Sequence, residues 1–575
     1  MAVRKLVEER VPVPEAIVRV LEEAGIEFVF GMPGGRTSAI YNALYDHRDT
    51  IRAVLVREEG IAAVMADVYG RLTGRPGVAM GQGAFMLTNA GMGIVEGYLA
   101  GSPMLILSER SDGGPFSHHA PYQAGTGDYG TWDARATIAG YTKQTFVARE
   151  PAAAVQNTQL AIKHAVSGQP GPVAVLYHSA ALSQSVGPDT TPRLYGTQAY
   201  LSEEPPGASE KRIEAAVELL DRAARPVIIA GNGVRMSRGQ AELRQLAELL
   251  DMPVATSASG KGVFPETHPL ALGVFGTFGL DAANAVVADA DLILAVGTKL
   301  GPSDTANENP ALLDPERQTF VQVDIEARNA SWTFPVQQAL LGDARVVLNQ
   351  LATAARRAEL HRFDGSRRAT EAHRLHASFD VPESEAGGSP VFSQRLIKEL
   401  HRGISEDAIV TCDAGENRLF MMHHFQTKGT VEYLQPSAVG GMGYAIPAAL
   451  AAKLVFPERP VVAVCGDGGF AIAMNGLMTA IDEGIPIAVV VFNNSFLGWV
   501  RHGQGERPIA SGLGSYDHAA IARAMGCEGI RVERAEDLPG ALGRALAAKG
   551  PAVVDVVTSM DPTFNDVRSP LAAYP

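Results

Sequence analysis

The chain has 575 residues, enough for three or four domains with sizeable cores, and its 46% hydrophobic and 19% charged residues exclude a disordered chain. Its formal net charge of −14, without a Lys/Arg block, argues against nucleic acid as a partner. Cys412, Cys465 and Cys527 lack metal-ligand spacing and read as buried reduced thiols, the opening MAVRKLVEERVPVPEAI has no apolar signal core, and the apolar runs are too short for a bilayer; a cytoplasmic enzyme with no membrane partner is expected.

In chain order, three segments repeat one rhythm of apolar β-branched run, glycine turn and helical pattern. The first holds FVFGMPGG, GVAMGQGA and PMLILSER; the second PVIIAGNG, PVATSASGKG and DLILAVGTKLG; the third AIVTCDAGEN, PVVAVCGDGG and IAVVVFNN. Short apolar runs without alternation, most of them closed by glycine, predict parallel strands covered by helices on both faces. Polar, Pro-rich passages around 183–207 and 356–389 read as linkers. The expectation is an α/β protein of three doubly wound parallel-sheet domains, at 1–185, 208–355 and 389–575. Ligands of such sheets sit outside the carboxyl ends of the strands, where all these glycine turns fall.

The stretch GDGGFAIAMNGLMTAIDEGIPIAVVVFNN, residues 466–494, carries the strongest chemistry. A strand delivers the chain into Gly466-Asp467-Gly468-Gly469, where glycine lets backbone approach a ligand and a starting helix attracts phosphate. The next strand ends beside it with Asn494. One carboxylate, one amide oxygen, a backbone carbonyl and phosphate oxygens make a plausible Mg²⁺ shell. A Gly-Asp-Gly alone would mean no more than a tight turn; the paired asparagines at the end of the following strand make the pattern specific.

These motifs resemble those of the thiamine diphosphate (ThDP) enzymes, over nearly the whole chain, in the order pyrimidine-binding, middle and diphosphate-binding domain. The similarity is greatest to acetolactate synthase large subunits and, in the third segment, extends to benzoylformate decarboxylase. The resemblance implies that Asp467, Asn494 and the Phe496 carbonyl hold Mg²⁺, and that Gly34, Gly440, Gly466, Gly468, Gly469, Leu497 and Gly498 contact the cofactor. LVREEGIAAVMADVYGR (55–71) places Glu59 on the acid that faces the aminopyrimidine ring and promotes ylid formation; the alternative is a solvated charge pair at a helix start. Met442 in SAVGGMGYAIPAALAA aligns with the bulky residue under the bent cofactor, although methionine also serves as core filler. DAGENR places Gly415, Glu416 and Asn417 near the phosphates, or else is an ordinary strand-end turn.

The reaction subtype rests on residues where this chain departs from its relatives. The synthase loop Gly-Pro-Gly-Ala-Thr-Asn is here AFMLTN (84–89), with Phe85 for the proline, and Gln82 lies about where benzoylformate decarboxylase has a catalytic histidine. His118-His119 resembles the histidine pair of pyruvate decarboxylases but lacks their acidic partners, so proton transfer and solvated surface are both open. A partly apolar substrate pocket of Phe85, Met86 and Trp499 is expected, beside Phe496 and Leu497. IIAGNGVRMSRG in the middle segment is only part of a dinucleotide fingerprint and reads as a vestigial fold without flavin. The function implied is making or breaking a C–C bond next to a carbonyl in a 2-oxo acid. The alternatives are a 2-hydroxyacyl-CoA lyase, for which Arg235, Arg238, Lys261 and Arg568 are the available phosphate partners, and an inactive regulatory subunit. A homodimer or homotetramer with sites between subunits is implied by the resemblance.

Overall fold

The structure, a computed structural model, describes residues 4–112, 123–201, 204–376, 379–429, 432–436 and 438–563. Its first sheet is built from β1 (Phe28–Gly31), β2 (Arg52–Leu55), β3 (Gly77–Met80), β4 (Met104–Glu109), β5 (Gln144–Ala148) and β6 (Pro172–Tyr177). The middle sheet holds β7 (Pro226–Ala230), β8 (Val254–Thr256), β9 (Ala271–Val274), β10 (Leu292–Val296), β11 (Thr319–Asp324) and β12 (Gln338–Leu341). The third holds β13 (Ile409–Cys412), β14 (Glu432–Leu434), β15 (Val461–Gly466), β16 (Ala488–Asn493), β17 (Glu528–Val532) and β18 (Ala552–Val557).

All three sheets are six-stranded and parallel, in the orders β2-β1-β3-β4-β6-β5, β9-β8-β7-β10-β11-β12 and β14-β13-β15-β16-β18-β17. The α/β expectation of three doubly wound sheets therefore holds. Central strands are buried along their whole length, as in MLILSE of β4, PVAVLY of β6 and AVVVFN of β16. This is why their sequences run apolar without alternation: both faces are covered by helices. In each sheet the chain crosses to the other side of its first strand, between β1 and β3, β7 and β10, and β13 and β15. Such switch points open a crevice at the carboxyl ends of the two strands.

The described chain gathers into two compact units, Met1–Glu203 with Leu450–Val455 and Met478–Glu483, and the remainder. The first unit carries the first sheet; the second carries the middle and third sheets. Among the described residues no helix is long and apolar enough to cross a membrane.

Candidate active site

At the first sheet's switch point β1 runs into Gly34 and β3 into Gln82. A Cβ on Gly34 would lie 2.7 Å from Gln82 Oε1, so the two loops touch there, and Gln82 Nε2 donates to Gln123 Oε1 at 2.6 Å. The helix Glu59–Thr73 starts just past β2. Glu58 is its N-cap, accepting from the Ile61 N–H at 3.2 Å, which divides the two glutamates by role. Glu59 is 7% exposed and accepts from Asn89 Nδ2 at 3.2 Å. Tyr41 lies within its field: burial first, then the Glu59 charge, push the phenol well above its ordinary range, and its hydroxyl donates to the Met80 carbonyl at 2.8 Å. Asn89, the last residue of AFMLTN, is a partner of Glu59 that sequence reasoning passed over, although the motif containing it was in view. Phe85 is exposed, whereas Met86 is fully buried with its side chain against Gly81, as a core residue rather than an open pocket wall. His118 and His119 lie outside the described residues.

In the third sheet the switch point is organised by Asp413, the first residue of DAGENR, to which the sequence reading gave no role. Its fully buried carboxylate accepts from the Ala414 and Tyr444 N–H groups at 2.8 and 3.2 Å through Oδ1, and from Gly443 N–H at 2.9 Å through Oδ2. It thereby ties the DAGENR loop to the loop carrying Gly440 and Met442. The helix Asp467–Ala473 packs against it: a Cβ on Gly469 would fall 2.4 Å from Asp413 Oδ2, so only glycine fits. Burial pushes the Asp413 carboxyl up to about 6.

Asp467 follows β15 directly and is 5% exposed. Its Oδ1 accepts from Gly468 N–H at 2.8 Å and its Oδ2 from Ser495 N–H at 2.7 Å, joining the GDGG turn to the NN turn. Burial pushes this carboxyl up to about 6 as well. The asparagine pair divides its work. Asn493 Nδ2 donates to Asp555 Oδ1 at 2.9 Å and to the Tyr516 carbonyl at 3.0 Å, a structural anchor. Asn494 Oδ1 accepts from the Phe496 N–H at 3.0 Å, at the turn that Asp467 holds. Residues 495–497 then pair antiparallel with 511–513, through Leu497 N–H to Ser511 O and Leu513 N–H to Ser495 O, both 2.8 Å. Leu497, Leu513 and Met442 converge on the open face of Gly468, and Met442 is 37% exposed, so it protrudes rather than filling core.

Gly415, at φ +117°, starts the helix Glu416–His424. The side chain of Glu416 turns to His502, with Oε1 to Nδ1 at 2.6 Å, and its Oε2 faces the backbone of Gly498. Glu416 thus has a side-chain partner of its own. His502 is a site residue that the sequence did not flag. Asn417 Nδ2 donates to the Asp413 carbonyl at 3.2 Å. Trp499 packs edge-on to Phe278 of the middle sheet's loops, at 5.6 Å between rings.

Two middle-sheet cations, Lys261 and Arg235, are engaged within the protein. Lys261 is fully buried, with Nζ at 2.6 Å from both carboxylate oxygens of Glu266. Arg235, 3% exposed, donates to the carbonyls of Ser259, Lys261 and Tyr433 at 2.9, 2.6 and 2.9 Å. Arg235 through Tyr433, and Lys261 through the Met422 carbonyl at 3.3 Å, join the middle segment to the third rather than meeting a ligand's phosphates.

Three family models match: thiamine pyrophosphate enzyme, N-terminal TPP binding domain, over residues 12–126; the central domain over 213–351; and the C-terminal TPP binding domain over 413–556. Among curated proteins the chain is similar to the acetolactate synthase large subunit of Corynebacterium glutamicum, 30% identical over 568 residues covering 97% of this chain and 88% of the relative. It is similar also to the acetolactate synthase isozyme 3 large subunit of Escherichia coli, 30% identical over 547 residues and 92% of each chain.

Proposed function

This chain belongs to the thiamine pyrophosphate enzyme family, and from that premise we propose that it is a ThDP- and Mg²⁺-dependent carboligase of the acetolactate synthase kind, acting on a small 2-oxo acid. That it is a ThDP-dependent enzyme follows from its family; metal, substrate and assembly are the proposal. The observation that carries it is the arrangement around Asp467. Among the described residues this buried carboxyl meets only backbone N–H donors, and burial disfavours its charge. A divalent cation would restore ionisation, and the neighbouring amide and carbonyl oxygens are hard donors of the kind Mg²⁺ takes.

Asp467, Asn494 Oδ1 and the Phe496 carbonyl would hold the metal, and the N–H groups opening the nine-residue helix Glu416–His424 would take phosphate oxygens. When bound, the cofactor supplies a carbon nucleophile and an electron sink next to a carbonyl. Glu59 would hold a proton at the aminopyrimidine ring nitrogen, with Asn89 fixing its carboxylate. Met442, Leu497 and Leu513 would support the cofactor from below and exclude water. Burial and pairing of Lys261 and Arg235 weigh against a CoA substrate, and the intact set of Glu59, Asp467 and Asn494 against a regulatory subunit without catalysis. Assembly as a cytoplasmic homodimer or homotetramer, with half-sites completed between subunits, belongs to the same proposal.

The test is a melt of apoprotein with ThDP and Mg²⁺ together and singly, followed by incubation of holoenzyme with 2-oxo acids and 2-hydroxyacyl-CoAs. A ligand at 100 times its Kd should add about 2.7 kcal/mol of apparent stability. Absence of any shift would refute the cofactor assignment. Formyl-CoA formed without CO₂ from any 2-oxo acid would replace the carboligase with the lyase.

A further inference from the structure

Arg418, the third residue of the helix Glu416–His424, has no ion-pair partner among the described residues. Its guanidinium makes one hydrogen bond among the described residues, from Nη1 to the Pro436 carbonyl at 2.7 Å, and its Nε is buried with no partner. It lies against the Gly440 turn: a Cβ on Gly440 would sit 3.4 Å from Nη1 and 3.8 Å from Nη2. Its charge is felt by Cys412, the last residue of β13, which sets it over the carboxyl end of the sheet beside the switch point.

The acids nearest in sequence are already engaged. Glu416 is paired with His502, and Asp413 is filled by backbone N–H groups from Ala414, Gly443 and Tyr444. A guanidinium taken partly out of water is disfavoured unless an anion or acceptors meet its donors. With Nη1 on the Pro436 carbonyl, the buried Nε donor is left without an acceptor among the described residues. The planar fork matches the two oxygens of a carboxylate or phosphate.

We propose that Arg418 is an oxyanion-recognising residue of this half-site, receiving either a phosphate oxygen of the cofactor or the carboxylate of a 2-oxo acid. This rests on the ThDP reading above. The bland alternative is a strut that supports only the Pro436 carbonyl.

The experiment uses the full chain with Arg418→Gln, which removes the charge, and Arg418→Lys, which keeps the charge but not the fork. Affinity for ThDP with Mg²⁺ is read from a melt titration, and KM separately from kcat with pyruvate as the 2-oxo acid probe. Arg418→Gln should lose at least tenfold in one of the two, and Arg418→Lys a smaller part of the same quantity. Loss in cofactor affinity identifies the phosphate; loss in KM at unchanged cofactor affinity identifies the carboxylate. Wild-type values in both measurements for Arg418→Gln would leave only the strut and overturn the proposal. Should that variant not fold, wild-type values for Arg418→Lys would overturn it equally. A wild-type protein indifferent to ThDP and Mg²⁺ would refute the cofactor assignment itself, a separate outcome read before any variant is compared.

Discussion

Replacing Asp413 tests how the third-sheet crevice is held together. Asp413→Ala strips the partner from three buried N–H groups, those of Ala414, Gly443 and Tyr444. Each orphaned donor costs about 1–3 kcal/mol, so the gross loss is roughly 3–9 kcal/mol. Against this, burial that raises the carboxyl from 3.8 to about 6 disfavours the ionised form by about 3 kcal/mol near neutral pH, a cost that alanine removes. The net expectation is a loss of about 3 kcal/mol. Asp413→Asn keeps an oxygen for Ala414 and Tyr444 but turns an NH₂ towards Gly443, so one lost bond of about 1–3 kcal/mol meets the same relief and stability stays close to wild type. The assay is urea unfolding of the apoprotein, comparing midpoints, because a chain with several sheets need not unfold in one step. An alanine variant with the wild-type midpoint, or an asparagine variant as weak as alanine, would refute this account of the loops.

Four further outcomes are expected. Glu59→Gln should lower turnover by about 10²- to 10⁴-fold with little change in cofactor affinity, checked by hydrogen–deuterium exchange at C2 of bound ThDP. Asn493→Ala should lower the melting temperature of the apoprotein through loss of its bonds to Asp555 and Tyr516, whereas Asn494→Ala should leave that temperature in place and remove the Mg²⁺ response. Lys261→Met leaves Glu266 buried without its cation and should cost about 3–5 kcal/mol in chemical denaturation, more than the double variant Lys261→Met with Glu266→Gln. Burial lowers His423 from 6.5 to about 4, so above 6.5 it contributes nothing to pH dependence; as pH falls from there towards 4 the unfolded chain takes up a proton that the native ring refuses, and stability drops by about 1.4 kcal/mol per pH unit. His423→Gln should flatten the difference in melting temperature between neutral pH and pH near 5.

Composition and periodicity determined the class of fold. Strands buried on both faces must be apolar at every position, so PVVAVC and IAVVVF announce parallel sheets before any contact is known. Turn chemistry is equally local, which is why GDGG and NN placed Asp467 and Asn494 at neighbouring strand ends. Partnership between distant side chains is not local, and the tertiary structure alone decided it. Packing made Asn493 an anchor and Asn494 a turn residue, although the two are identical in sequence. Glu416 met a histidine 86 positions away, and Asp413 became the tie between loops 30 positions apart. Lys261, a candidate phosphate partner while only its charge was known, proved to be sealed beside Glu266, because burial is a property of the assembled sheets and a charge taken out of water must find its opposite there.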